Sequence, residues 1–440
     1  MGSHWEFLVR RYPLHPRITA LVLAGALAGA GCSRESAVTS GMARDSGSAS
    51  DRPAPAGDSD KSSAIGDRDY RSVAEKVVGQ SARVREGDVV LLNGSPEDLP
   101  LLEDIAIEVQ KRGGSPLLTI SPASMARRSY DEVPAKYDAV PPKSIQKLAG
   151  IIDVYIGTEA FEQRSLKGVP AERIAARGKA FAPITALLQK RNVRGVYLGN
   201  GLYPSAENAD QFAVSRRDLA DMLYAGVDVD YAALQQTGEA IRRTLASGKQ
   251  VRITAPNGTD LKVGVAGRPA FVSDGIISPE DERRGAPATS VWLPAGEVYM
   301  VPAAGTAEGV LVADEDFFQG DRIEGFRLEF KGGKLTSMTA KSGLEALKKQ
   351  YDAAGAGRDV LGVIDFGINP GLKLPADKAI NPWSQAGMVT VGVGNNTWAG
   401  GTNSVAFGVA PHLPNGTVAV DGKVLIQDGK LAAGEPVASR

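Results

Sequence analysis

Between Tyr70 and Leu245 short apolar runs alternate with longer amphipathic stretches, and this alternation constrains the fold more than any other feature of the chain. GDVVLLNG (87–94) reads as a buried strand bounded by glycines. EDLPLLEDIAIEVQKRGG carries apolar residues at helical spacing and ends on a glycine pair. SPLLTIS, IIDVYIGT and VRGVYLGN are further short strands with helical stretches between them. Strands alternating with helices predict a mostly parallel sheet with helices on both faces. No GxGxxG opens a helix after the first strand, so a dinucleotide site has no support. DYAALQQTGEAIRRTLASGK closes this α/β lobe as an amphipathic helix, with Leu234, Ile241 and Leu245 on one stripe.

From Gln250 the texture changes. VRITAPNGTDLKVGV is a hairpin signal, two β-rich runs around Asn257-Gly258, a pair suited to positive φ. RLEFKGGKLTSMTA repeats the pattern around Gly332-Gly333, and TVAVDGKVLIQDGKL contains Asp421-Gly422 and Asp428-Gly429. LEALKKQYDAA (344–354) is the one clear helix of this region. The second lobe is therefore expected to be β-rich α+β, an antiparallel sheet or open barrel with one or two helices.

The N-terminus has a different character. Arg10, Arg11 and Arg17 precede the uncharged run ITALVLAGALAGAG (18–31), which ends at Cys32. A basic segment, a short apolar run and small residues make a secretory signal, too short to span a bilayer that needs about 20 residues. Gly29, Ala30 and Gly31 before the sole cysteine resemble the lipobox of bacterial lipoproteins, which implies lipid attachment at Cys32. Ser33 follows where an Asp would imply inner-membrane retention, so the outer membrane is favoured. Residues 33 to about 68 are rich in Ser, Asp, Gly and Pro and poor in large apolar groups, the composition of a disordered tether. The expected organisation is a signal peptide (1–31), a lipidated tether (32–68), an α/β lobe (69–248) and a β-rich lobe (249–440).

Charge and rare residues restrict the chemistry. Across 440 residues, 50 Lys+Arg balance 51 Asp+Glu, so no basic field exists to hold a nucleic acid. One cysteine forbids an internal disulfide. Of three histidines, His4 and His15 precede residue 20, leaving His412 as the one imidazole of the folded part. An intramolecular site that needs two imidazoles is excluded.

FAVSRRDLADMLYAGVDVDYAAL, VRITAPNGTDL, LPAGEVYMVP, LGVIDFGINPG, VGVGNNTWAGGTNS and VDGKVLIQDGK occur in this order. Together they resemble the aminopeptidase T family of metallo-aminopeptidases, from about Tyr70 to the C-terminus. The resemblance implies a bilobal, usually dimeric protein that trims N-terminal residues from peptides with two metal ions in the second lobe. Two glutamates, two histidines, an aspartate and a nearby tyrosine hold those ions. Paired cations generate hydroxide near neutral pH and stabilise the tetrahedral intermediate.

Carried over residue by residue, the first glutamate maps to Glu297. Val363 stands where the second should follow Leu361-Gly362, and Asp365 lies two residues on, on the same side of a strand. The first histidine falls at Thr390 and the tyrosine near Thr397 or Trp398. The last histidine and the aspartate should follow Asn403-Ser404, where the chain reads VAFGV (405–409). The candidate metal residues are thus Glu297 and Asp365, for a divalent ion that the resemblance implies, and carboxylates alone suit Mg, Mn or Ca better than zinc. No catalytic residue is assigned.

The remaining features carry less. The run Asp314, Glu315 and Asp316 reads as a loop surface, with an oxygen-ligand role as the alternative. GVGNNTWAGG (392–401) lacks a following Lys-Ser/Thr and reads as a glycine-rich bend at the family's cavity wall. Trp292, Tyr299, Trp383 and Trp398 are assigned to packing, and His412, followed by Leu413-Pro414, to a surface loop. Ser404 has no histidine base placed by sequence. Ring-opening iron dioxygenases share this general fold by resemblance, yet non-haem iron normally uses two imidazoles. Two expectations follow: a peptide hydrolase of weak or lost activity, or a silent relative that binds a peptide or small molecule at the cell envelope. The expected partners are that ligand, a membrane reached through the lipid anchor and a second copy of the chain in a homodimer.

Overall fold

The computed structural model describes residues 68–432 apart from 161–162, 167, 287, 319–320, 374–381 and 406. The signal, Cys32 and the tether up to residue 67 therefore lie outside the described residues. The first lobe is built on five parallel strands in the order Ser115–Ile120, Val89–Gly94, Val154–Thr158, Arg194–Leu198, Ser290–Leu293. Helices Leu99–Lys111 and Ala171–Lys190 make two of the crossovers between them. The fifth strand arrives from beyond residue 249, so chain from the β-rich region completes the parallel sheet.

Apolar side chains of alternate strand positions drive this arrangement. Val90, Leu92, Val154, Ile156, Val196 and Leu198 are buried against Leu101, Leu102 and Ile105. That core runs without a break into the second lobe, through Val251, Ile253, Phe326 and Phe366. At the lower edge of the sheet, Arg194 is 4% exposed and binds Asp88 at 2.6 Å and the carbonyl of Ala82 at 3.0 Å. This buried ion pair ties the fourth strand to the chain entering the first.

The second lobe holds two antiparallel sheets. One has eight strands, ordered Lys334–Thr339, Asp321–Lys331, Glu308–Phe318, Thr259–Gly264, Gln250–Ala255, Thr417–Val420, Lys423–Gln427, Lys430–Leu431. Its tight turns fall on the expected pairs: Gly332 and Gly333, Asp421 and Gly422, and Asp428 and Gly429 all have positive φ. The other sheet orders Gly408–Val409, Val389–Gly394, Leu361–Gly367, Glu297–Met300 and Ala270–Ser273, and His412–Leu413 also pairs with Val389–Gly394. Among the described residues no helix is long and apolar enough to cross a membrane.

Candidate functional site

Residues that face each other across an antiparallel pair project from the same side. In the smaller sheet the register places Phe271 opposite Tyr299, Tyr299 opposite Asp365, Asp365 opposite Thr390, and Thr390 opposite His412. One row thus crosses five strands with every side chain on one face. The adjacent row sets Ser273 opposite Glu297 and Glu297 opposite Gly367. Glu297 and Asp365 are diagonal neighbours on that face, at a typical backbone separation of about 7–8 Å. Both are buried, Glu297 at 1% and Asp365 at 0% exposure.

The approach to Glu297 is fixed from both lobes. Asn200, just past the fourth parallel strand, donates through Nδ2 to Glu297 Oε1 at 3.2 Å and to the carbonyl of Pro294 at 2.9 Å. Asn369 donates to the carbonyls of Ala295 and Gly226, and Ser384 donates to that of Pro294. Glu297 therefore sits where the carboxyl end of the parallel sheet meets the smaller sheet. No local sequence signal marks Asn200 as its partner.

Aromatic rings close the face. Phe271 stacks on Tyr299 at 5.6 Å, Tyr299 lies 5.8 Å from Trp398, Trp398 meets Trp383 edge-on at 6.2 Å, and Trp383 meets His412 at 5.1 Å. Thr390 Oγ1 is 2.7 Å from His412 Nδ1. His412 is therefore not on a surface loop: it is half-buried in a short strand, held there by pairing with Thr390. Phe271 had no signal in the sequence beyond its place in a strand.

These residues can be compared with what a metal pair needs. Val363, where the second glutamate is expected, packs with Val301 and Ala399, with Tyr299 and Trp398 against them. Thr390, at the histidine position, offers a neutral hydroxyl already engaged with His412. Within VAFGV (405–409), where the last histidine and the aspartate are expected, Val405 and Phe407 are 5% and 1% exposed and belong to the main core. Among the described residues no three His, Cys, Asp or Glu side chains are grouped to hold a metal ion. The donor set does not fit the binuclear centre of the resembled family.

The acidic run at 314–316 needs a different description from the loop surface expected. It lies within the strand Glu308–Phe318, where successive side chains point to opposite faces, so Glu315 is turned away from Asp314 and Asp316 and the three do not converge on one ion. Asp314 accepts from Asn257 at 3.3 Å and Glu315 pairs with Arg322. Asp316 accepts the Phe317 N–H through Oδ1, and burial pushes its carboxyl up to about 7.

A model of the thermophilic metalloprotease (M29) family matches residues 67–362. Glu297 lies inside that segment, whereas Val363, Asp365, Thr390 and His412 lie beyond it. The chain is 24% identical to the aminopeptidase PepS of Streptococcus thermophilus over 236 residues, 50% of this chain and 55% of the relative. It thus spans about half the length of that curated relative. The structure of AmpT from Thermus thermophilus superposes with a TM-score of 0.62 at 18% identity, covering 83% of this chain and 99% of that one. A 2,5-dihydroxypyridine dioxygenase from Pseudomonas putida KT2440 shares the fold at a TM-score of 0.55 and 15% identity, covering 83% of this chain and 97% of that one. With two thirds of its length matched by the family model, this chain belongs to the M29 thermophilic metalloprotease family.

Proposed function

We propose that this chain is an exported member of the M29 family, lipid-anchored at Cys32 in the cell envelope, whose peptide-hydrolase activity is weak or lost. In this reading its site binds a peptide or small molecule, with residues 32–68 serving as the tether. The row Phe271–Tyr299–Asp365–Thr390–His412 carries the proposal. It keeps a deep acidic position beside Glu297 and surrounds it with aromatic rings, a hydroxyl and a single imidazole, that of His412, which is already engaged with Thr390. Zinc favours nitrogen and sulfur donors, and two carboxylates fill only about half of its four-coordinate shell. A ligand here would meet carboxylates below and aromatic faces at the side, held by Asn200 and Asn369 in a fixed frame.

The test is hydrolysis of amino-acid amides and short peptides by the purified protein in zinc, cobalt or manganese, with peptide binding measured in parallel. Binding with little turnover supports the proposal. Brisk release of N-terminal residues, abolished by Glu297→Ala, overturns it.

A second reading has its own observation, the placement of Glu297 and Asp365 on one face. A single ion on these two carboxylates would give slow hydrolysis. That reading requires manganese or magnesium to raise turnover and Asp365→Asn to remove the increase.

A further inference from the structure

The segment 131–143 is nearly all exposed, yet it is tied to the helix Ala171–Lys190 by two ion pairs. Asp138, the buried residue within it, has a side chain 1% exposed and accepts from Arg173 Nε at 2.6 Å and Arg177 Nε at 2.7 Å. Arg173 also donates to the carbonyls of Tyr130 and Val133, and the Arg177 guanidinium lies 3.6 Å from the Tyr130 ring centre. Successive turns, Tyr137 N–H to Pro134 and Val140 N–H to Tyr137, then bring three apolar side chains outward. Val133 is 39%, Tyr137 53% and Val140 54% exposed, and Ile151 follows at 57%. Val133, Tyr137 and Val140 thus fall within eight residues of one clamped segment and all face water.

The charges within the segment are one-sided. Asp131 pairs with Arg127, Glu132 with Arg128, and Asp138 with Arg173 and Arg177, so the acids of the segment are neutralised. Lys136 and Lys143 are exposed within the segment and Lys147 just after it, and Lys136 Nζ lies 5.0 Å from the Tyr137 ring centre. Short apolar tips, a tyrosine and snorkelling lysines are the chemistry of an interface with anionic headgroups. Cys32 precedes Arg68, the first described residue, by 36 positions. A fully extended chain of that length reaches roughly 120 Å, so this surface can meet the bilayer that would hold a lipid on Cys32.

We propose that Val133, Tyr137 and Val140, with Lys136, Lys143 and Lys147, form a docking surface for an anionic lipid bilayer, orienting the anchored protein on the membrane. The proposal rests on the envelope reading above, but its test does not need the lipid. In the full-length chain carrying Cys32→Ser, an environment-sensitive fluorophore is placed at Tyr137→Cys or, as a control, at Lys349→Cys, an exposed position in the second lobe. Both chains keep the same N-terminus, so its contribution is common to both. On vesicles of phosphatidylethanolamine with phosphatidylglycerol, the label at 137 should brighten and shift to shorter wavelength, and the label at 349 should not. The shift should shrink on phosphatidylcholine alone. Replacing Val133 and Val140 with serine in the labelled chain should weaken vesicle partitioning read at 137 by about tenfold. Equal responses at both positions, or none at 137, would overturn the proposal, as would protection of 137 by a soluble protein but not by vesicles. Whether Cys32 is lipidated is read separately, from the mass of the N-terminal peptide of cell-derived protein. A negative answer there leaves the vesicle result standing.

Discussion

Restoring the missing glutamate is the most informative single substitution. Val363 is 1% exposed, faces Gly392 across the strand pair, and packs with Val301 and Ala399. Val363 already fills the space beside Gly392, since a Cβ on that glycine would lie 2.5 Å from Val363 Cγ1. Val363→Glu replaces a branched apolar side chain with two methylenes that carry a carboxyl into apolar surroundings, and burial raises the pKa of such a group by about 3 units above its usual ~4.3. At about 1.36 kcal/mol per unit this costs about 4 kcal/mol once the folded pKa is passed, with about 1 more for misfit. Because the folded pKa is raised, the ionisation cost is absent below ~4.3, grows with pH to about 7 and is flat above. Urea unfolding followed by tryptophan fluorescence should therefore show the variant destabilised by about 4–5 kcal/mol at pH 8 and by about 2 at pH 5. Zinc should recover less than about 0.5 kcal/mol, whereas a site loaded at a hundredfold excess over its Kd would return about 2.7. A variant as stable as the parent at pH 8, or one that zinc restores by that larger amount, would refute the argument that an apolar cluster has replaced the ligand.

Other consequences follow from the same contacts. Arg194→Ala strands the Asp88 carboxylate near the base of the parallel sheet and should cost about 3–5 kcal/mol in denaturant unfolding. Gly238 sits where an added Cβ would come within 2.4 Å of Val272 Cγ1, so Gly238→Ala should destabilise by about 1–3 kcal/mol and lower the melting temperature. Burial raises the Asp316 carboxyl to about 7, so wild-type stability should fall as pH rises from about 4 to 7. Asp316→Asn should flatten that slope in melts across the same range.

Much of the architecture was legible because its signals are local. Asn257-Gly258, Gly332-Gly333 and the two Asp-Gly pairs fix hairpins from within four residues, and the stripe Leu234, Ile241, Leu245 marks a buried helix face. Ser290–Leu293 shows the limit: its partner Arg194–Leu198 lies almost a hundred residues away, and nothing nearby tells a parallel edge strand from a continuation of the β lobe. His412 misled for the same reason, since Leu413-Pro414 suggests a loop while pairing to Thr390 makes a strand. Asp314, Glu315 and Asp316 look like loop chemistry, but Arg322 and Asn257 let a strand carry them. At the site, the periodicity of two puts Asp365 on the side of Val363. The row Phe271, Tyr299, Asp365, Thr390 and His412 could not be read, because its five members come from five separate strands.

The central claim is that the donor residues of this M29 chain do not fit a bound metal pair. Metal content settles it most directly: the purified chain is stripped with chelator, dialysed against zinc, cobalt or manganese, and analysed for bound metal per polypeptide. Less than one tightly held equivalent is predicted. Two equivalents per chain that survive gel filtration, lost on substituting Glu297 or Asp365, would contradict the account.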